Sequence, residues 1–181
     1  MKFLIFVLMG LMIPKGETTL FDFNSPETSG QWNIVNDGVM GGISQSNITL
    51  NADGIATFSG EVSLENKGGF ASVRTALSSI PPKEFKGVMV RLKGDGNIYN
   101  IRFRTNRSFD GYAYQAKIKT EKEEWKAFKI PFTDFVPVYR GRTLQNKPPL
   151  ISGDMAQMGF LIADKQAGSF ELCLDWIKFY D

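Results

Sequence analysis

Short β-rich runs, broken roughly every 8–12 residues by Gly, Pro, Asn or Asp, constrain this chain more than any other feature. No stretch carries the apolar period of a long amphipathic helix, and only Phe132–Phe135 suggests a short turn. The runs predict strands at Leu20–Phe23, Trp32–Val35, Ser46–Leu50, Ile55–Ser59, Phe70–Thr75, Gly87–Lys93, Ile98–Thr105, Tyr112–Lys119, Trp125–Pro131, Met158–Ala163 and Phe170–Tyr180. That pattern belongs to an all-β fold, a jelly-roll β-sandwich.

Alternation within the runs separates a core face from a polar face. Val88, Val90 and Leu92 share one side, while Met89, Arg91 and Lys93 share the other. Tyr99, Ile101 and Phe103 turn away from Asn100, Arg102 and Arg104. Tyr112 and Tyr114 lie opposite Gln115 and Lys117. The Arg-bearing face reads either as the solvated outside of a sheet or as an Arg and Tyr platform for an anionic or hydroxyl-rich ligand.

After Lys2 comes an apolar run from Phe3 to Ile13, interrupted by Gly10 and followed by Pro14-Lys15-Gly16-Glu17. Its length suits a secretory leader and is short for a membrane span. Residues 1–19 are therefore assigned to a signal peptide or N-terminal anchor and residues 20–181 to one sandwich domain without a membrane span. The chain is accordingly expected to be exported, whether periplasmic, secreted or membrane-anchored.

Composition narrows the chemistry. The chain has no His, and its single Cys, Cys173, sits in an apolar run as a buried thiol. Neither a Ser-His-Asp triad nor a Cys-His pair can be built. Asp37, Glu61 and Glu65 could supply paired carboxylates for glycoside hydrolysis, but solvated loop acids are the commoner reading, so no enzyme is predicted. A net charge of +2 is too weak to imply nucleic acid. No cofactor is expected, although Asp22 and Asp175, near the two chain ends, could contribute to a structural calcium site.

The densest unusual segments are W-N-I-V-N-D-G-V-M-G-G-I-S (32–44) and F-S-G-E-V-S-L-E-N-K-G-G-F-A-S-V-R (58–74). Their glycines permit tight turns, with Met40 as a plug beneath the first and Asp37 and Asn66 as turn caps. Arg74 either pairs with a carboxylate such as Asp37 or reaches a ligand. Arg140 and Arg142, after Phe135-Val136-Pro137-Val138-Tyr139, read as a loop that offers two guanidinium groups.

With Phe135–Arg142 and Met158–Ile177, these segments resemble the complex I intermediate-associated protein 30 family from Phe21 to Tyr180. The resemblance implies a galactose-binding-domain-like jelly roll and a role as an assembly factor or chaperone for respiratory complex I. Two functions follow as expectations. The first is a monomeric protein-interaction or assembly factor. The second is a carbohydrate-binding module that takes a glycan, neutral or acidic, on a concave face bearing Arg102, Arg104, Tyr112 and Tyr114. Asp37, Asn66, Arg74, Arg140 and Arg142 complete the candidate contact residues.

Overall fold

The computed structural model describes residues 16–25, 31–77, 80 and 84–181. The apolar run Phe3–Ile13 lies outside them. The strands are β1 (Glu17–Asp22), β2 (Asn33–Ile34), β3 (Gln45–Leu50), β4 (Ala56–Val62), β5 (Ala71–Ala76), β6 (Gly87–Lys93) and β7 (Ile98–Arg104). They continue as β8 (Ala113–Lys119), β9 (Trp125–Pro131), β10 (Val136–Tyr139), β11 (Arg142–Thr143), β12 (Gln157–Ile162) and β13 (Gly168–Tyr180). The remaining regular pieces are short 3₁₀ turns, including Asp37–Met40 and Phe132–Asp134. Strand β1 begins at Glu17, so the sheet reaches into the segment assigned above to a leader.

One sheet runs β3-β4-β13-β6-β9, and the other runs β11-β10-β8-β7-β12-β5-β2, with antiparallel neighbours throughout. Strand β13 organises the first sheet. One flank pairs with β6, while the other pairs first with β4 and then with β1. The two ends of the domain are thus zipped together.

The pleat puts the apolar residues of both sheets into one core. Phe170 of β13 meets Phe58 of β4 edge-on at 4.9 Å and Tyr99 of β7 at 6.4 Å. Phe103 of β7 reaches Phe179 of β13 at 6.1 Å. Each such ring contributes about 1.5–3 kcal/mol by leaving water. Tyr99 keeps its buried hydroxyl satisfied by a proton shared between two acceptors, Asp95 at 3.0 Å and the Glu171 carbonyl at 3.1 Å. Cys173 is buried as expected, and burial pushes its thiol pKa up.

Phe135–Arg142 is a hairpin rather than an open loop. Val138 pairs with Thr143 and Tyr139 with Arg142 across a two-residue turn. Arg140 (φ 48°) and Gly141 (φ 77°) take the positive φ values that this type of tight turn needs. Pro137 hides the strand from a sequence reading, because proline cannot donate to a ladder.

Candidate functional site

Two regions gather the predicted residues. The first is a knot in which Asp37 is completely buried. Its carboxylate accepts from the Gly69 amide at 2.7 Å, the Phe70 amide at 3.2 Å, the Ser44 amide at 3.0 Å and the Ser44 hydroxyl at 2.5 Å. Ser44 Oγ in turn accepts from the Ser63 amide at 2.9 Å. One side chain therefore staples the 32–44 segment to the turn that feeds β5. Burial pushes the Asp37 pKa up, but the hydrogen bonds from Ser44, Gly69 and Phe70 outweigh it and the net shift is downward.

The glycines serve this staple. A Cβ at Gly42 would overlap the Asp37 carboxyl, and one at Gly68 would press on Asp37 Oδ2 at 2.7 Å. Asp37 thus faces inward with its oxygens occupied, unavailable to a ligand or as a hydrolytic acid. Asn66 is exposed, with φ 53° and ψ 32°, and shapes the turn through its backbone.

Met40 is not a plug. Because Asp37 takes the interior position of the 3₁₀ turn, Val39 and Met40 point outward at 59% and 54% exposure. Ile43 and, on the stapled partner loop, Leu64 are also exposed. Four large apolar side chains therefore stand in water on two loops that a buried carboxylate holds together. Apolar letters between glycines are the sequence signal for this knob, but a plug gives the same signal.

The second region is the outer face of the seven-stranded sheet. Gly159 of β12 lies opposite Arg74 of β5 on one side and Arg102 of β7 on the other. Arg104 lies opposite Gln157 in the next row. Arg74 does not pair with Asp37. It donates to the Phe109 carbonyl at 3.0 Å, and its guanidinium sits 5.6 Å from the Phe109 ring. Arg104 donates to the Gly111 carbonyl, and Gln157 to those of Asn106 and Ser108. These side chains pin the loop between β7 and β8.

Burial, then repulsion from Arg104, brings Arg74 down to about 10, with Asp110 opposing. Burial, then repulsion from Arg104 and Arg74, brings Arg102 down to about 10. All three arginines remain charged at neutral pH.

The tyrosines stand elsewhere. Arg102 lies opposite Gln115, so pleat parity sends Tyr114, opposite Phe103, to the core side. Tyr114 is buried and donates to the Pro148 carbonyl at 2.6 Å; Tyr112 packs against it at 5.5 Å. The expected platform joining Arg102 and Arg104 to Tyr112 and Tyr114 is therefore split between two faces. On the adjacent rim, Arg140 pairs with Asp110 at 2.7 Å and Tyr139 donates to the same carboxylate at 3.1 Å, while Arg142 is exposed on β11.

The first and last strands do pair, which sets Asp22 opposite Trp176, beside Asp175. However, Asp175 accepts from Arg91, and Asp22 accepts from the Asn24 amide at 3.0 Å. Among the described residues, no group of three or more His, Cys, Asp or Glu is placed to hold a metal ion. No described helix is long and apolar enough to cross a membrane.

The model of the complex I intermediate-associated protein 30 family matches residues 21–174, nearly the whole sandwich and both regions above. The chain belongs to this family.

Complex I intermediate-associated protein 30, mitochondrial, from Drosophila melanogaster is 26% identical over 92% of this chain and 64% of its own length. The protein of the same name from Neurospora crassa is 23% identical over 88% of the chain and 72% of its own length. The chain thus spans just under two thirds of the fly relative. These mitochondrial family members overturn the expectation of export drawn from the apolar run: they belong to an internal organelle. Among solved structures, a family 11 carbohydrate-binding module from Clostridium thermocellum, in complex with a mixed-linked tetrasaccharide, superposes with a TM-score of 0.65. It is 19% identical and covers 92% of this chain and 96% of its own, a likeness of fold.

Proposed function

We propose that this chain is a non-catalytic assembly factor that holds a protein partner, a complex I intermediate as in the names of its family relatives. The observation that carries the reading is the stapled apolar knob. Val39, Met40, Ile43 and Leu64 are exposed on loops that a fully buried Asp37 fixes in place. Exposed apolar residues on rigid loops suit a protein interface, because little ordering entropy is left to lose on binding. Family membership supplies the kind of partner.

The carbohydrate-binding reading has the sandwich likeness in its favour. The split between Arg102 and Arg104 on one face and Tyr114 on the other separates the Arg and Tyr groups first expected to form its platform.

The test is immunoprecipitation of the tagged full chain from gently solubilised mitochondria. Complex I subunits are expected to accumulate in the eluate above an untagged control. An eluate free of them would overturn the reading.

A further inference from the structure

The outer face of the seven-stranded sheet holds positive charge that the protein itself leaves unanswered. Arg74 on β5 and Arg102 and Arg104 on β7 flank Gly159 of the intervening β12, in a small recess that Ser72 and Gln157 also line. Like charges at such positions repel, and each arginine is pushed toward neutrality by burial and, for Arg74 and Arg102, by Arg104. Among the described residues, none of the three forms an ion pair with a carboxylate. Asp110, the nearest acid in their electrostatics, is already held by Arg140 and Tyr139.

Arg74 and Arg104 have carbonyl partners in the loop between β7 and β8, but Arg102 is different. Its Nε is buried without a hydrogen-bond partner, and so is Asn100 Oδ1, two residues away on the same face. These are the buried side-chain polar atoms without partners among the described residues. Leaving the Arg102 Nε–H unpaired is costly, and a bound acceptor would satisfy it. Glycine at position 159 keeps the floor between Arg74 and Arg102 free of a side chain. Strands about 4.8 Å apart put the two arginine backbones about 10 Å from each other across it. The stem of Arg74 leans over Gly159 and the recess there has room for about one water-sized group, so an oxyanion would sit at its mouth, against the two guanidinium forks.

We propose that Arg102, flanked by Arg74 and Arg104 over Gly159, binds a dianionic oxyanion of the phosphate or sulfate type. Three guanidinium charges without a paired carboxylate suit two negative charges better than one. The Arg102 fork fits the oxygens of a tetrahedral oxyanion. The site is separate from the apolar knob, so it stands or falls independently of the assembly reading.

The test is thermal unfolding of the full chain with inorganic phosphate, sulfate or acetate at constant ionic strength. Phosphate and sulfate are each expected to raise the melting temperature by about 3 °C or more at saturating concentration, and acetate by less than 1 °C. Arg102→Gln is expected to abolish the shift and to melt about 1–2 °C higher without anion, since it relieves repulsion and removes the unpaired Nε. Arg102→Lys keeps the charge but loses the fork, and is expected to weaken phosphate binding at least about fivefold by calorimetry. If Arg102→Gln fails to fold, Arg102→Lys decides. Equal phosphate affinity in wild type and Arg102→Lys, or no phosphate or sulfate shift in wild type, would overturn the proposal.

Discussion

Asp37→Ala is expected to lower folding stability by about 3–5 kcal/mol, among the largest losses a single substitution can cause in this chain. The substitution strips the acceptor from the amides of Ser44, Gly69 and Phe70 and from the Ser44 hydroxyl, around a side chain fully buried from the surface. For a domain of this size the melting temperature should fall by about 10 °C. Urea denaturation should show a lower midpoint with an unchanged slope. Asp37→Asn retains one accepting oxygen and should lose about half as much.

Acid should reproduce part of the effect. Because the folded pKa of Asp37 lies below its ordinary 3.8, the carboxylate stabilises the native state above that value. The contribution disappears as pH falls from about 4 through the lower folded pKa. Asp37→Asn should therefore lose less stability than wild type over that window. Parallel loss in both proteins would contradict the staple.

The second large effect is expected on binding. Val39→Asp with Met40→Asp should weaken capture of complex I intermediates at least about thirtyfold, since central apolar anchors contribute about 2 kcal/mol or more. Both side chains are more than half exposed, and neither supports the core, so the melting temperature should move by less than about 2 °C. Quantitative capture from mitochondrial extract, with unfolding measured on the same preparation, separates the two effects. Undiminished capture would remove the knob from the interface.

How far the sequence reveals this architecture depends on how local each signal is. Strands β6 and β9 end where their runs of letters end, because alternation and flanking turns are local properties. The β10–β11 hairpin is obscured by Pro137, whose missing donor is tolerated where the ladder does not call for it. The site is less legible, because it depends on register. Arg102 and Arg104 lie on the outer face as the alternation of β7 indicates, but only the pairing of Phe103 with Tyr114 shows that Tyr114 turns inward.

The plug reading of Met40, and one of the two readings open for Arg74, fail for one cause. Arg74 lies on the strand after the Gly-Gly turn and looks like a partner for Asp37. Met40 looks like a filler. The backbone amides of Gly69 and Phe70, which leave no trace in a string of letters, draw Asp37 inside and occupy its oxygens, so that it is not left for Arg74 and Met40 turns outward. The unpartnered Arg102 Nε is likewise visible only when all neighbouring strands are in place.

The most direct test of the central claim is site-specific photo-crosslinking, with a benzophenone side chain at Met40 or, as a control, at exposed Lys117 on the outer sheet face. The stapled-knob account predicts ultraviolet-dependent adducts between position 40 and complex I subunits, and none from position 117. Adducts from position 117 alone, or from neither position while the chain still co-purifies with complex I intermediates, would contradict it.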